Sequence, residues 1–498
     1  MTVAVVVALT VAGAISALRW LRVAQREHYL AGSVTRFALR WWTVDVLAVA
    51  LGVLALVAAV ATAWIAWAGL ITAAAVVVGP PGLGIRGRTS PLASTARLRR
   101  IAITLGVLLV LFGVVGLITS PLVAALGAVA VPLLTDLCLV VLAPVERRLG
   151  NPWVEKAAAA LAGAGATVVA ITGSYGKTST KGYVGHLAGG SRRVLASPAS
   201  FNNRMGLARS INEHLAGGID VFVAEMGTYG PGEIAELCSW IPPDVAVITA
   251  IGPVHLERFG SEERIVEAKA EILSDASVAV LNVDDSRLAA LADREATRRK
   301  VIRAGTGDPG LLDVAVSDGR VFVDGRELAP APSGAHASNL ACAVGVATAL
   351  GVDETALRDR VGGVSEPEHR RTVARGQSGV AIIDDTFNSN PAGARAALSS
   401  LAGLGGGGRK VVVTPGMVEL GARQREENRL FAADAAAVAD LIIVVGRTNR
   451  PALVAGARDA GGEVREVASR EEAVAWVRDN LGPDDAVLYE NDLPDHYP

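Results

Sequence analysis

Apolar residues are concentrated in the first 150 positions of this chain, where they form five long stretches. Each stretch approaches the ~20 residues that cross the hydrocarbon core of a bilayer as an α-helix. The stretches are Val3–Leu18, Val44–Val60, Ala61–Val78, Ile101–Thr119 and Leu122–Leu142. Five in succession are typical of a membrane protein, so residues 1–150 are predicted to form an α-helical membrane region with about five transmembrane helices. The second and third run together and require a tight hairpin near Ala61–Ala63.

Arginines between the stretches predict the orientation of this region. They cluster after the first, third and fifth stretches, whereas the two other connections carry almost no charge. The clusters are Arg19, Arg22, Arg26, Arg36 and Arg40; Arg86, Arg88, Arg97, Arg99 and Arg100; and Arg147 and Arg148. Basic loops stay in the cytoplasm, so the N-terminus is expected outside and the chain after Arg148 inside. The first stretch lacks a basic leader and a clear cleavage site, which favours a retained helix and a multi-pass protein of the inner (cytoplasmic) membrane.

Two carboxylates, Asp45 and Asp136, lie in or beside the apolar stretches. A carboxylate inside a membrane is a candidate functional group, whereas one at a helix end near water has no such role. The second interpretation is favoured for Asp45, and both stay open for Asp136.

From residue 151 onward, short β-branched runs alternate with helical segments, which is typical of α/β domains. The run Thr167–Thr172 leads into Gly173-Ser174-Tyr175-Gly176-Lys177-Thr178-Ser179-Thr180. Such a loop binds phosphate: its backbone N–H groups wrap the oxygens, Lys177 reaches the β- and γ-phosphates, and Thr178 offers a hydroxyl to Mg²⁺. Two residues separate its first glycine from the Gly-Lys pair where the general pattern has four. The prediction of a phosphate-binding loop therefore depends on the position of this segment between a strand and a helix.

Length and composition limit the number of domains and the class of protein. The 498 residues leave room for about three domains. The net charge of −2 does not indicate nucleic-acid binding. Cys138, Cys238 and Cys342 lie far apart and have no metal-binding or redox spacing.

Further motifs follow the phosphate loop in an order that resembles the Mur ligase family. The loop itself is similar to the shortened Thr-Gly-x-x-Gly-Lys-Thr form of that family. The other matching segments are Phe201–Gly206, Ala224–Gly227, Pro231–Ile234, Pro243–Thr249, His255–Ser261, Ala268–Ile272, His336–Asn339, Glu368–Arg370, Asp384–Pro391 and Pro415–Gly421. The resemblance covers roughly residues 165–450. It is nearest to the branch that adds D-alanyl-D-alanine to a muramoyl peptide.

The resemblance implies a fold and a reaction. A central P-loop ATP-binding domain is expected over residues 151–365, and a C-terminal Rossmann-like α/β domain over residues 366–498. The implied enzyme is an ATP-dependent ligase: a carboxylate attacks the γ-phosphate of ATP, and an amine then displaces phosphate from the acyl phosphate. This chemistry requires mainly charge neutralisation and alignment. ATP and Mg²⁺ are the expected cofactors.

The resemblance also implies roles for individual residues. The nucleotide phosphates are expected at Gly173, Ser174, Gly176, Lys177, Thr178 and Ser179. One Mg²⁺ would be held by Thr178 and Glu225, and a second by His255 together with Lys269, which the family carbamylates. Asn202 and Asn203 would line the substrate side near the γ-phosphate. Without the resemblance, Lys269 would be interpreted as a solvated lysine and His255 as a structural histidine.

The adenosine end of the nucleotide has its own candidates. His336 and Asn339 are three residues apart at a helix start, so they share a face, and in the family this pair meets the adenine. Arg370, Asp385 and Asn388 would close over the nucleotide from the C-terminal domain, with Asp385 near the ribose and Arg370 near the phosphates.

Three departures from the family bear on the substrate. Predicted membrane helices stand where the D-alanyl-D-alanine-adding branch has a domain for a UDP-sugar. Pro415-Gly416 replaces an expected Gly-Asp, and Leu488–Asp495 lacks the usual Lys-Gly-Ser end. The hypothesis that follows is a small-molecule or lipid-linked cell-envelope precursor as acceptor, presented at the inner leaflet beside the helices, with an amino acid or peptide as its partner in the reaction.

Three alternatives remain. The first is a polyglutamate-type or other cell-envelope ligase with the same ATPase. The second is an inactive nucleotide-binding membrane scaffold, against which the completeness of the motif residues argues: Lys177, Thr178, Glu225, His255, Lys269 and Asp385. The third is a P-loop transport ATPase, which the few polar residues in the apolar stretches do not favour.

Overall fold

Seven α-helices begin the chain, among the residues that the computed structural model describes: 1–87, 92–198, 201–365, 372–376, 378–386, 390–404 and 407–498. The helices are α1 (Thr2–Arg26), α2 (Ser33–Thr43), α3 (Val46–Ala61), α4 (Ala68–Val78), α5 (Ala96–Ile118), α6 (Pro121–Val129) and α7 (Val131–Ala164). We call α1–α6, with the part of α7 before Gly150, the N-terminal helical unit.

Two of these helices are long and apolar enough to cross a membrane by themselves. They are α1, with 25 residues, and α5, with 23. Two bent pairs qualify only if each pair is one span: α2 with α3, bent by 114°, and α6 with α7, bent by 73°. Within the described ranges there are thus two candidate spans, or up to four with the bent pairs. The prediction of about five full transmembrane helices is wrong in number, because three of the five stretches contain breaks or short helices.

The breaks have local causes. Pro132 has no N–H to donate, and its ring collides with the carbonyl four residues earlier, so α6 ends at Val129 and α7 begins at Val131. Residues 62–67 connect α3 to α4, which pack against each other. This confirms the predicted hairpin, although its arms are shorter than expected. The tip of the hairpin exposes Trp64 and Trp67.

The last helix of the unit continues into the next domain without interruption. α7 has 34 residues, and its second half buries Val154, Ala157 and Leu161 in the core of the following α/β domain. The change in composition near residue 150 is therefore not a change in secondary structure. The N-terminal helical unit and the domain behind it share one helix.

The first α/β domain is built on a nine-stranded sheet with the order β2-β3-β1-β4-β5-β6-β7-β8-β9. The strands are β1 (Thr167–Thr172), β2 (Val194–Ala196), β3 (Val221–Glu225), β4 (Val245–Ile248), β5 (Val278–Asn282), β6 (Lys300–Gly305), β7 (Val314–Ser317), β8 (Arg320–Val323) and β9 (Arg326–Pro330). The first seven are parallel, and β8 and β9 are antiparallel additions. Near-continuous apolar strands such as β3 are typical of a sheet covered on both faces.

Helices cover both faces of this sheet, and two apolar clusters fill the spaces between. The helices are α8 (Lys177–Ala188), α9 (Arg204–His214), α10 (Glu233–Cys238), α11 (Leu256–Phe259), α12 (Glu262–Ala270), α13 (Ser286–Glu295), α14 (Ala337–Ala349) and α15 (Glu354–Val361), with a 3-10 turn at Glu271–Leu273.

The second α/β domain has a six-stranded sheet with the order β10-β11-β15-β12-β13-β14. Its strands are β10 (Thr372–Arg375), β11 (Ala381–Asp385), β12 (Lys410–Thr414), β13 (Leu441–Val445), β14 (Val464–Val467) and β15 (Ala486–Glu490). Its helices are α16 (Pro391–Gly403), α17 (Gln424–Ala436), α18 (Arg450–Asp459) and α19 (Arg470–Asn480), with a 3-10 turn at Gly421–Arg423. Only β10 is antiparallel. This is the predicted doubly wound arrangement.

The C-terminal tail, residues 491–498, packs into the base of the N-terminal helical unit. Arg22 and Asp495, both buried, form an ion pair of 2.7 Å. The indole Nε1 of Trp41 donates a hydrogen bond to the carbonyl oxygen of His496 at 2.8 Å, and the Phe37 ring lies 4.9 Å from the His496 ring. The segment that lacks the family's usual ending therefore joins the ligase part to the helices.

Both carboxylates of the apolar region cap helices. Asp136 accepts backbone N–H groups at the start of α2, including that of Thr35 at 2.7 Å. Asp45 accepts the N–H of Ala48 at 2.8 Å and is the N-cap of α3. Side-chain oxygens at these positions satisfy N–H groups that the helix cannot. Of the two interpretations left open for Asp136, the structure thus supports a carboxylate that caps a helix.

Candidate active site

The phosphate loop lies where the order of strands reverses. β1 has β3 on one side and β4 on the other, so the loop after β1 opens into the crevice at the carboxyl edge of the sheet. Open α/β sheets bind ligands in this crevice. α8 starts at Lys177 directly behind the loop, and its N-terminus presents the N–H groups and the positive dipole end that favour an anion.

Two glycines allow the loop to pack closely. Gly173 has φ +154 and Gly176 has φ +78. A Cβ at Gly173 would overlap the hydroxyl of Thr249, and one at Gly176 would overlap the side-chain amide of Asn339. Ser174 fastens the loop because its hydroxyl donates to the carbonyl of Gly252 at 3.1 Å. The loop therefore has its shape before any phosphate binds.

A polar cluster surrounds Glu225, the last residue of β3. The hydroxyl of Thr178 donates to Oε2 of Glu225 at 3.0 Å, and Nζ of Lys181 lies 2.9 Å from the same oxygen. Nδ2 of Asn202 donates to Oε1 at 3.2 Å. The predicted residues Thr178, Glu225 and Asn202 are thus brought together next to Lys177, whose Nζ donates to the carbonyl of Gly173 at 2.7 Å.

The electrostatics keep Glu225 ionised. Burial alone would raise the pKa of this carboxyl, but the charges of Lys181 and Lys177 and two hydrogen bonds lower the pKa below its ordinary value. An ionised carboxylate beside a hydroxyl, at the end of a strand and facing a phosphate loop, is a set of oxygen donors that suits Mg²⁺.

Asn203 lies beside this cluster without joining it. Its side chain is the N-cap of α9 and accepts the N–H of Gly206 at 3.0 Å. The cap holds the short amide side chain of Asn203 at the N-terminus of α9, and its expected place on the substrate side near the γ-phosphate stays a prediction.

His255 and Glu419 connect the two α/β domains. Nδ1 of His255 is hydrogen-bonded to Oε2 of Glu419, and Arg258 Nη2 donates to Oε1 of Glu419 at 3.1 Å. Burial alone would raise the pKa of Glu419, but the hydrogen bond from His255 and the charges of His255 and Arg258 lower it to about 2. The ionised carboxylate accepts, so Nδ1 carries the proton. A carboxylate on one imidazole nitrogen orients the other as a metal ligand in many sites.

Lys269 is not solvated. It is buried at the end of α12, and burial, reinforced by the charge of Lys177, lowers the pKa of its amine well below the ordinary value. A lowered pKa favours the unprotonated form of a lysine amine, which is the nucleophilic form. The burial of Lys269 rejects the solvated alternative.

The structure describes only some of the residues that are predicted to bind the adenosine end of the nucleotide. Asn339 lies against Gly176 at the phosphate loop, and Nδ1 of His336, the N-cap of α14, is 3.1 Å from the hydroxyl of Ser338. Asp385 ends β11 beside Glu490 of β15. Arg370 and Asn388 lie outside the described residues.

Sequence analysis missed two residues of this site. Lys181 is one helical turn after Lys177, and that spacing placed it on the same face of α8. Glu419 belongs to a segment that had been matched as a motif but given no role. Its φ of +64 turns it toward His255 across the domain boundary, and a sequence shows no such contact.

A cavity of about 710 Å³ lies beside the His255 segment. It sits where all three parts of the chain meet: Arg40 comes from the N-terminal helical unit, Glu257 from the first α/β domain, and Gln424 and Asn449 from the second. A molecule in this cavity would touch all three parts.

These observations define a class: a two-domain α/β enzyme with a phosphate loop at the switch point of its first sheet. Sequence comparison supplies the family. The description "Mur ligase middle domain" matches residues 171–343, and "Mur ligase, glutamate ligase domain" matches residues 369–489. The UDP-N-acetylmuramoyl-tripeptide–D-alanyl-D-alanine ligase of Mycobacterium leprae is 33% identical over an alignment of 376 residues that covers 66% of this chain and 72% of that protein. The chain belongs to the Mur ligase family.

Solved structures agree with this assignment. MurF from Thermotoga maritima, in complex with ADP, has a TM-score of 0.57 and 28% identity, and the match covers 69% of this chain and 80% of that one. MurF from Acinetobacter baumannii has a TM-score of 0.60 at 24% identity, covers 68% and 77%, and supports the fold alone. The predicted resemblance to the Mur ligases, nearest to the D-alanyl-D-alanine-adding branch, is confirmed. The protein is an ATP-dependent ligase that forms amide bonds.

Proposed function

We propose that this enzyme joins an amino acid or peptide to a cell-envelope precursor of the peptidoglycan type at the inner face of the cytoplasmic membrane. The observation that carries the proposal is the Glu225 cluster at the phosphate loop. The N-terminal helical unit supports it, because this unit is docked beside the His255 segment of the same active site. The relatives named above act on a UDP-N-acetylmuramoyl tripeptide, which supports an acceptor of the same chemical class.

The residues around Glu225 fit a Mg²⁺ ion that accompanies ATP. Mg²⁺ in nucleotide sites usually has one or two carboxylates, with phosphate oxygens and water completing its shell. Thr178 and Glu225 supply a hydroxyl and an ionised carboxylate. Among the described residues there is no group of three or more His, Cys, Asp or Glu that could hold a metal ion. Phosphate oxygens and water would therefore supply the other ligands. The bound ion would neutralise charge on the phosphates.

The chain's own side chains perform the remaining work at the phosphates. Lys177, at the N-terminus of α8, would leave the carbonyl of Gly173 and contact the β- and γ-phosphates. Asn202, held by Glu225, would align the attacking carboxylate. That attack would release ADP and leave an acyl phosphate, from which the amine would displace phosphate to form the amide. Such a step depends on position and charge more than on covalent participation by the protein.

His255 and Lys269 are proposed to hold a second Mg²⁺. Protonation of Nδ1, which donates to Glu419, leaves the other ring nitrogen of His255 as the ligand. Lys269 would take part as a carbamate, since burial lowers the pKa of its amine and so favours the unprotonated form that adds to carbon dioxide. Carbamylation would convert the lysine amine into a carbamate, whose oxygens are ligands of the kind that Mg²⁺ prefers.

We propose that the N-terminal helical unit lies in the membrane with its base toward the ligase domains. α1 and α5 would each cross, and the bent pair α6–α7 would return to the ligase side. The hairpin α3–α4 starts and ends on that side: Arg447 of the second α/β domain pairs with Asp45 before α3, and Nη1 of Arg19 donates to the carbonyl of Gly79 after α4 at 3.1 Å. With 16 residues, α3 reaches about 24 Å, less than the ~30 Å core of a bilayer.

This topology retains the predicted orientation, with the N-terminus outside. If α3 and α4 form a hairpin instead of two crossings, the segments before α3 and after α4 still lie on the same side of the membrane. All three arginine clusters therefore stay in the cytoplasm. The cavity that Arg40 and Glu257 share opens beside the base of the helical unit. An acceptor linked to a lipid carrier could reach it from the inner leaflet, and this position supports the lipid-linked hypothesis.

The test compares two acceptors with the full-length protein in liposomes. One is a muramoyl peptide on a polyprenyl carrier, and the other is the same peptide as a soluble UDP-linked compound. The proposal predicts a kcat/KM for the lipid-linked acceptor at least tenfold higher, which corresponds to ~1.4 kcal/mol of transition-state stabilisation. Equal or greater kcat/KM for the soluble compound would reject the lipid-linked acceptor while leaving the ligase assignment intact.

A further inference from the structure

Glu27, the residue after α1, contacts both other parts of the chain. Its buried carboxylate accepts a hydrogen bond from Nη2 of Arg258 in the first α/β domain at 3.0 Å. It is also 3.0 Å from Nε2 of His496 in the C-terminal tail. The same Nη2 of Arg258 donates to Glu419 at 3.1 Å, and Glu419 holds His255. A chain of charged contacts therefore runs from the helical unit to the candidate metal ligand.

A second path starts at the neighbouring residue. The ring of His28 stacks on Tyr229, with centroids 5.2 Å apart and planes 27° apart. Tyr229 in turn meets the ring of His255 edge-on at 4.8 Å, and the guanidinium of Arg258 lies 4.8 Å from the centre of the Tyr229 ring. Glu27 and His28 thus reach His255 from two directions, one ionic and one aromatic.

Backbone strain is concentrated along these two paths. Seven residues other than glycine have positive φ among those the structure describes, and three of them lie on these paths. They are His28 (φ 55), His255 (φ 59) and Glu419 (φ 64). Each such residue costs on the order of 1 kcal/mol or more and persists only where surrounding contacts hold it. The contacts available are those between the helical unit and the two domains.

We propose that Glu27 and His28 are positioning residues for the ligase reaction, through which the N-terminal helical unit holds His255 and Glu419 in their working geometry. This inference rests on the proposed role of His255. The site is complete only when the helical unit, the first α/β domain and the second α/β domain are docked together. Helices that are outside the homologous region therefore act on the chemistry as well as on the location of the enzyme.

The test uses the full-length protein in detergent and four variants. Glu27→Gln and His28→Ala break one path each. Glu146→Gln removes a carboxylate that pairs with Arg100 inside the helical unit, at 2.6 Å, and serves as the matched control. Trp41→Phe removes a contact to the same C-terminal tail, through His496, without touching Arg258. His28 is exposed, so its replacement leaves the fold intact even if Glu27→Gln does not fold.

The expected result is a fall in kcat of roughly tenfold for each of the two variants, with the KM for ATP changed less than about twofold. A second measurement needs neither metal nor nucleotide: hydrogen exchange at Phe259 and Gly260, whose N–H groups bond to the carbonyls of His255 and Leu256. Exchange there should accelerate in Glu27→Gln and His28→Ala and stay unchanged in Glu146→Gln and Trp41→Phe.

Two results would overturn the inference. One is a kcat in both variants that equals that of Glu146→Gln. The other is a loss that Trp41→Phe reproduces, which would mean that docking alone matters. Failure of the proposed function looks different, because the wild-type protein itself would then form no amide from any carboxylate and amine pair.

Discussion

Lys181 and Glu225 form a buried ion pair, with Nζ of the lysine 2.9 Å from Oε2 of the carboxylate. The pair keeps Glu225 ionised between α8 and the end of β3. It also means that the candidate metal ligand depends on a residue that no motif had indicated.

Replacing Lys181 by Met should destabilise the protein strongly. The variant leaves a buried carboxylate without its ion-pair partner, which costs about 3–5 kcal/mol. The measurement is urea unfolding in detergent, with Lys156→Met as control because Lys156 is exposed on α7. A Lys181→Met protein as stable as this control would show that the ion pair contributes nothing.

Gly176→Ala should impair ATP binding because the added Cβ would overlap the amide of Asn339 and because φ is +78. Asn339→Ala removes the overlap but not the left-handed backbone, which costs on the order of 1 kcal/mol. Because Asn339 is itself expected to meet the adenine, the rescue is measured as stability: the double variant should unfold at a higher urea concentration than Gly176→Ala alone. No recovery in the double variant would contradict this geometry.

Glu490 makes the stability of the second α/β domain depend on pH. Burial, with the charge of Asp385, raises the pKa of Glu490 to about 8, although Thr414 donates a hydrogen bond to it. The folded protein then binds this proton more tightly than the unfolded chain, where glutamate titrates at ~4.3. The free energy of unfolding consequently falls as the pH rises from about 5 to about 8.

Glu490→Gln should abolish that fall. One pKa unit corresponds to ~1.4 kcal/mol, so the variant should exceed the wild type by on the order of a few kcal/mol at alkaline pH and not at acidic pH. Unfolding by urea at both pH values measures the difference. A stability difference that is the same at both would mean that Glu490 is not protonated in the folded protein.

Cysteine labelling tests the membrane topology. Ala63→Cys places a thiol at the tip of the α3–α4 hairpin, Thr119→Cys one after α5, and Ser94→Cys one before α5. The native cysteines are buried and give little background. A membrane-impermeant reagent added outside intact cells should label position 119 and neither 63 nor 94. Labelling at position 63 from outside would show that α3 and α4 cross the membrane.

The sequence predicted the site best where function and local structure share one segment. Lys177 and Thr178 follow a strand and start a helix, so their motif and their geometry coincide. Glu225 was assigned from the segment Ala224–Gly227, which resembles the family, and the structure places it at the end of β3. Lys181 was detectable from helical spacing alone, yet it lies outside every matched motif.

Long-range contacts were beyond the reach of sequence patterns. Glu27 meets Arg258 and His496, residues more than 200 positions away, and no local periodicity reports such a pair. The apolar stretches were recognised correctly as helical, but hydrophobicity alone did not show that Pro132 ends one helix and starts another. The cap that the Asn203 side chain forms at the start of α9 was likewise not predicted from the sequence.

The central claim is tested most directly by measuring ADP release and amide formation together, with the purified full-length protein, ATP and Mg²⁺, against a panel of carboxylate and amine pairs. We predict turnover that requires both substrates, gives one amide per ADP, and is lost in Lys177→Ala while that variant stays folded. ADP release that needs neither substrate, or that continues unchanged in Lys177→Ala, would contradict it.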